Sequence, residues 1–314
     1  MRSAIAFLAI LPVCLAQQAL PIRVDVRLVN VAFTVRDARG KLVTNLTKDD
    51  FEVLDDGQSQ PISFFARGQD LPLSLGLIVD VSSSQDHFVK PHQHDLGVFL
   101  NDVLSPRDRA FLICFGNHLR LAADFSASGP ELIDGLRQFE KRDVPEIGPR
   151  EYRSGGTAFY DALYYATTLK LANADGRKAL VMFSDGEDNS SAHNMLDTIE
   201  AAQTENVVVF GIRYTETRKG ERTARNKYGA SVMARISRDT GGADFDAQAD
   251  DLRASFREIG EQLRSSYELA YHANGAADGT FHKLVIRTRQ PGYTVHAKTG
   301  YFAKDENERA AAAP

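Results

Sequence analysis

The sequence predicts an α/β domain, a doubly wound and mostly parallel sheet, inserted in a small all-β domain formed by N- and C-terminal strands. Three observations predict it. Near-continuous apolar runs at 75–79, 109–115, 179–183 and 207–212 suit strands buried on both faces. Between most of these runs lie apolar residues at helical spacing, so strand and helix alternate as parallel crossovers require. Before about residue 70 and after 265 the apolar period falls to two, so strands alone flank the α/β segment.

The elements follow in order. Val24, Val26 and Leu28, then Val31, Phe33 and Val35, alternate with polar neighbours, and Asp37-Ala38-Arg39-Gly40 predicts a hairpin turn. A further strand over 51–54 ends in Asp55-Asp56-Gly57, a second turn, before Ile62-Ser63-Phe64-Phe65. This N-terminal β segment, 21–70, is too short for a good sandwich and needs strands from elsewhere. Gln69-Asp70-Leu71-Pro72 is a linker, and the α/β domain runs from 72 to 265. Its first strand leads to a helix over 88–103 striped by Phe88, Leu96, Phe99, Leu100 and Val103, with Pro91 expected in or before the first turn. Strands at 109–115 and 119–125 are joined by the Gly116-Asn117 turn; a short helix over 132–139 and a charged loop over 140–156 come next.

Thr157 is expected to cap a helix carrying Phe159, Leu163, Ala166 and Leu169. The strand at 179–183 ends in Ser184-Asp185-Gly186-Glu187-Asp188-Asn189. Met195, Ile199 and Ala202 mark a helix, followed by the strand at 207–212 and a basic loop over 215–227. A helix around 232–236, a short strand at 243–245 and a helix with Leu252, Phe256, Ile259 and Leu263 complete the domain. The C-terminal β segment, 266–303, holds three short strands that pair with those of 21–70. Chain ends that lie close together make such an insertion acceptable. The tail over 304–314 is charged and alanine-rich and is expected to be disordered.

Composition sets the outer bounds. A 314-residue chain with 43% hydrophobic and 25% charged residues has the make-up of an ordinary soluble globular protein, and its net charge of -5 argues against nucleic acid as a partner. Arg2, the apolar run over 4–15 and Ala16 read as a secretory signal peptide, residues 1–16, placing the mature protein in a secreted or periplasmic setting. No membrane span is expected after its removal, and the bulky Val13 before Cys14 argues against lipidation there. Cys114 then stands alone, so no intramolecular disulfide is expected, and its apolar flanks describe an inert core thiol.

The chemistry concentrates just past the strand at 75–79. Asp80, Ser82 and Ser84 form an Asp-x-Ser-x-Ser pattern where open α/β sheets place their ligands, and carboxylate and hydroxyl oxygens suit a hard cation. Three donors are too few. Thr157, in Gly155-Gly156-Thr157, and Asp185, in Ser184-Asp185-Gly186, supply two more. Taken singly, serines after a strand also serve to satisfy turn amides and cap helices. The five positions together resemble the metal-ion-dependent adhesion site (MIDAS) of the von Willebrand factor A (VWA) domain family. The resemblance covers about 73–265. The flanks, through Phe51-Glu52-Val53-Leu54-Asp55-Asp56-Gly57 and Gly300-Tyr301-Phe302, resemble bacterial, acidobacterial-type VWFA-related proteins.

The resemblance implies a Rossmann-like VWA fold and a divalent cation, Mg2+ or else Mn2+ or Ca2+, held by Asp80, Ser82, Ser84, Thr157 and Asp185. It also implies a non-enzymatic adhesion role, in which a protein partner supplies an exposed Asp or Glu carboxylate to the ion, and a last helix, 252–263 here, that can shift with ligation. Two alternatives stand beside it: a metal-dependent hydrolase, and a structural envelope module with an empty site. No lysine-bearing phosphate loop and no nucleophile elbow is present. His87, His92 and His94 have no matching second cluster for zinc and read as surface residues, while Arg218, Lys219, Arg222, Arg225 and Lys227 of the basic loop could steer an acidic partner.

Overall fold

The computed structural model describes residues 27–82, 85–116, 118–138, 145–148, 156–214, 223–247, 251–273 and 278–303. The expected signal peptide with Cys14, the ligand Ser84, most of the basic loop and the tail lie outside the described residues. Four strands open the chain: β1 (Arg27–Asp37), β2 (Phe51–Asp55), β3 (Gln58–Gln60) and β4 (Ile62–Arg67). The α/β domain follows with β5 (Leu73–Asp80), α1 (Asp86–Val103), β6 (Arg109–Phe115), β7 (Leu119–Ser126) and α2 (Gly129–Gln138). Next come α3 (Phe159–Tyr165), which runs on as a π-helical segment Ala166–Leu171, then β8 (Arg177–Ser184) and α4 (Met195–Thr204). It ends with β9 (Val207–Arg213), α5 (Ala224–Thr240), β10 (Asp244–Asp246) and α6 (Leu252–Arg264). Four more strands close the chain: β11 (Tyr267–Ala273), β12 (Phe281–Thr288), β13 (Tyr293–Ala297) and β14 (Gly300–Phe302).

The central sheet has the order β10-β9-β8-β5-β6-β7, parallel except for β7, which runs antiparallel to β6. The first strand of this sheet, β5, therefore sits in the middle with β6 on one side and the later β8 on the other. The direction of winding reverses between β5 and β8, and ligands of doubly wound sheets bind outside the carboxyl ends of strands at such a reversal. All eight residues of β5 are buried. Leu75, Leu77 and Val79 join a core with Phe99 and Leu100 of α1 and Phe256 and Ile259 of α6. Ile78 faces the opposite core, with Leu163 of α3, Ile199 of α4 and Met233 of α5. This two-sided burial is the reason the strand reads as a continuous apolar run. Gly76 is needed for the same reason, since a Cβ there would lie 2.4 Å from Leu180 Cδ2 and 2.5 Å from Phe111 Cζ.

The flanking strands interleave as expected. One sheet has the order β13-β1-β11-β4 and the other β14-β12-β2-β3, so each contains strands from both ends of the chain. Their inner faces share a core that includes Val31, Phe33, Val53, Leu269 and Tyr271. Tyr267 stacks on Phe33 with ring centroids 5.4 Å apart, while its hydroxyl donates to Val43 O and accepts from Leu46 N. The strands that lead into and out of the α/β domain, β4 and β11, are antiparallel neighbours.

The two parts meet at a buried polar junction. Asn206, in the turn before β9, accepts from Ala32 N and donates to Glu268 Oε2, both at 3.1 Å. Lys298 donates to Gln203 O at 2.7 Å, and the Arg177 guanidinium reaches the carbonyls of Leu71 and Leu263.

Three local expectations are corrected. Thr157 is not a helix cap: α3 starts at Phe159 behind Ala158, with no side-chain cap. Pro91 lies beyond the first turn of α1, which begins at Asp86. Arg225 and Lys227 belong to α5 and not to a loop, because Thr223, accepting from Asn226 N, caps a helix that starts at Ala224, eight residues before its apolar stripe at 232–236.

Candidate metal centre

Asp80 is the last residue of β5, and Asp185 follows the last residue of β8, so the reversal point brings the two carboxylates together. Both are buried, with 1% and 4% of their surfaces exposed. Asp80 Oδ1 accepts from Ser82 N at 2.9 Å and Oδ2 from Ser184 Oγ at 2.7 Å. Asp185 Oδ1 accepts from Glu187 N at 3.0 Å and Oδ2 from Gln85 Nε2 at 2.9 Å. Ser82 also reaches Asp80 through its side chain. Each carboxylate is thus oriented by neutral donors, which fix its direction without cancelling its charge.

The charge stays largely unbalanced. Among the described residues neither Asp80 nor Asp185 forms an ion pair with Lys or Arg. Arg225 is committed to Glu187 at 2.6 Å and acts on Asp185 through its field. Burial pushes Asp80 up to about 7, with the Asp185 charge adding to it against the hydrogen bonds of Ser82 and Ser184. Burial also raises Asp185, Glu187 and Asp188 above the usual carboxylate range. Two desolvated carboxylates that repel one another are stabilised by a cation between them.

Thr157 comes two residues before α3, and its neighbour Ala158 donates to Gly116 O, where a Cβ would lie 3.5 Å from Ser82 N. The Thr157 amide donates to Asn189 Oδ1 at 2.7 Å, and Asn189 N returns a bond to Thr157 O at 3.1 Å, which ties the loop after β8 to the segment before α3. Gly186, at φ 76°, packs so closely on Gly229 O that a Cβ would approach it to 2.4 Å. Asp161 fixes the far end of the same loop: buried completely, it accepts from the amides of Ala192 and His193 and bonds His193 Nδ1 at 2.7 Å. The His193 ring stacks on Tyr164 with centroids 3.6 Å apart.

The structure describes four of the five expected ligands: Asp80 ends β5, Ser82 lies two residues beyond it, Asp185 follows β8, and Thr157 precedes α3 without capping it. Gln85, Ser184, Asn189 and Asp161, which hold those ligands in place, are not evident from the motif. Their only sequence signal is position, beside an already recognised ligand or on the turn of the adjoining helix. Of the three histidines beside the site, only the His94 side chain is described, and it is exposed. Oxygen donors alone, two of them anionic, fit a hard divalent cation held by Asp80, Ser82, Thr157 and Asp185.

No family model and no curated protein matches the chain. Among solved structures, the vWF domain of the type V pili tip protein of Porphyromonas gingivalis aligns with TM-score 0.46 and 11% identity, covering 62% of this chain and 95% of that one. The conserved hypothetical protein BatB from Bacteroides thetaiotaomicron aligns with TM-score 0.42 and 17% identity, over 62% and 100%. Proximal thread matrix protein 1 of the mussel byssus, with a zinc-occupied MIDAS motif, aligns with TM-score 0.45 and 15% identity, over 65% of this chain and 48% of that one.

Proposed function

We infer that the chain is a VWA-domain binding module of the bacterial VWFA-related kind, whose site between β5 and β8 captures a protein partner through a divalent cation. The observation that carries this is the pair of buried carboxylates, Asp80 and Asp185, converging at the winding reversal with no Lys or Arg in ion-pair contact among the described residues. The ligands are Asp80, Ser82, Ser84, Thr157 and Asp185, and the ion is Mg2+ or, with the same oxygen preference, Mn2+ or Ca2+. When bound, the cation supplies a positive centre that accepts one more anionic oxygen. An exposed Asp or Glu of the partner provides it.

The side chains of this protein prepare that position. Ser184 and the Ser82 amide hold the Asp80 carboxylate, Gln85 holds that of Asp185, and Asn189 anchors the backbone of Thr157. Binding is favoured over hydrolysis because, among the described residues, the side chains that donate to the two carboxylates are Ser82, Ser184 and Gln85, none of which is a general base. The signal peptide sends the module out of the cytoplasm, and among the described residues no helix is long and apolar enough to cross a membrane.

The test is twofold. Calorimetric titration with Mg2+ should show one site that disappears in Asp185→Ala. Capture of partners from the native envelope fraction should require Mg2+, fail in EDTA and fail with Asp185→Ala. Capture that persists without metal overturns the proposal.

A further inference from the structure

We propose that Asp55, Asp56 and His282 form a second metal site, specific for a transition metal such as Zn2+, which staples the N-terminal half of the β unit to its C-terminal half. Asp55 ends β2, Asp56 begins the turn to β3, and His282 is the second residue of β12. The halves they join are 227 residues apart in sequence, with the whole α/β domain between them.

The three ligand atoms lie within 4.8 Å of one another. His282 Nδ1 stands 2.9 Å from Asp55 Oδ1 and 3.3 Å from Asp56 Oδ2. A tetrahedral ion with bonds of about 2.0–2.1 Å to nitrogen and oxygen sets neighbouring ligands roughly 3.3 Å apart. The two separations from His282 therefore need little adjustment to seat an ion. A nitrogen donor among the three also distinguishes this set from the oxygen-only site at the winding reversal, since imidazole favours Zn2+ and its neighbours in the transition series over Mg2+.

The surroundings support coordination over a simple contact between acid and base. Asp55 is 6% exposed, and its second oxygen accepts two tyrosine hydroxyls, Tyr301 at 2.7 Å and Tyr271 at 3.0 Å. Both hydroxyls come from strands of the C-terminal half, and they leave Oδ1 turned toward His282. Tyr301 further supports the imidazole, its ring stacked on His282 at 5.1 Å and 26°. Ligand carboxylates and imidazoles are held this way by their outer partners in metal sites. Among the described residues His282 is the only basic side chain paired with Asp55 or Asp56, so one imidazole faces two carboxylates, and a divalent cation balances that charge. Asp56, with its side chain 53% exposed, leaves the remaining coordination positions open to water.

The experiment uses the full chain stripped with EDTA and then saturated with Mg2+, so that the oxygen-only site is filled. Titration with Co2+, read by visible absorption, and with Zn2+, read by calorimetry, should show one further equivalent bound, and Zn2+ should raise the unfolding temperature. Asp185→Ala should retain this uptake, which separates the second site from the first. His282→Ala should abolish it, and Tyr301→Phe should weaken it by about 10- to 100-fold. Asp56→Asn, at an exposed turn where the fold tolerates change, should lose both the uptake and the Zn2+ effect on unfolding, even if His282→Ala folds poorly. Absence of uptake, uptake unchanged in His282→Ala and Asp56→Asn, or uptake lost with Asp185→Ala each overturns the proposal, the first two leaving an acid–imidazole contact only.

Discussion

Replacing Glu268 by glutamine should remove a pH dependence that the junction between the two parts of the molecule builds into the fold. Glu268 projects from β11 and is buried against the α/β domain, where Asn206 donates to Oε2 and, among the described residues, Oε1 has no hydrogen-bond partner. Burial lifts its titration from the ordinary 4.5 to about 7, against the opposing pull of Asn206, Arg177, Lys298 and Lys178. The folded state thus holds the Glu268 proton more tightly than the unfolded chain does. Its contribution to stability is full below about 4.5 and is lost as pH rises through about 7. At about 1.4 kcal/mol per pH unit the loss approaches roughly 3 kcal/mol by pH 8. Glutamine keeps the shape and the bond to Asn206 but cannot ionise. Urea unfolding of metal-free protein at pH 5 and pH 8 should therefore show Glu268→Gln gaining roughly 2–3 kcal/mol on the parent between the two conditions. Parallel profiles for parent and variant would refute the reasoning.

Three further substitutions probe the site and the strand that carries it. Gln85→Ala removes the side-chain donor to Asp185, so Mg2+ affinity measured by calorimetry should fall about 10- to 100-fold while circular dichroism stays unchanged. Gly76→Ala forces a methyl against Leu180 and Phe111 and should cost about 1–3 kcal/mol in urea unfolding. Phe256→Ala empties the stack between α6 and Phe99, whose centroids are 4.8 Å apart, and should cost about 3–5 kcal/mol on the same scale.

Much of this molecule is legible in its sequence because burial on two faces leaves no polar positions to confuse the period. Leu75 to Val79 and Ala179 to Phe183 are readable as strands of a parallel sheet for that reason, and the turn at Gly116 marks β7 as a hairpin partner. Asp80 and Asp185, expected as ligands, end β5 and follow β8, adjacent strands of the central sheet. What could not be read depends on contacts between distant segments. Thr157 looks like a cap, yet its amide is taken by Asn189, 32 residues on, and the helix starts later behind Ala158. Gln85 reaches Asp185 across 100 residues, and no local pattern announces it. The early start of α5 was obscured differently: Thr223 and Asn226 form a capping box, but the charges around them read as a solvated loop. Local hydrogen-bonding patterns at such a boundary are weaker signals than the apolar stripe that begins later.

The pairing of β4 with β11 has a mechanical meaning. These strands are the α/β domain's way in and way out, and they are bonded to one another over Ile62 to Arg67 and Tyr267 to Tyr271. β1 lies on the other side of β11, and β2 pairs with β12. Tension applied to the two flanks of the chain is borne by these ladders of antiparallel strands and passes across the doorway of the inserted domain. The ladders must part before β4 and β11, and with them the two ends of the α/β domain, are drawn away from one another.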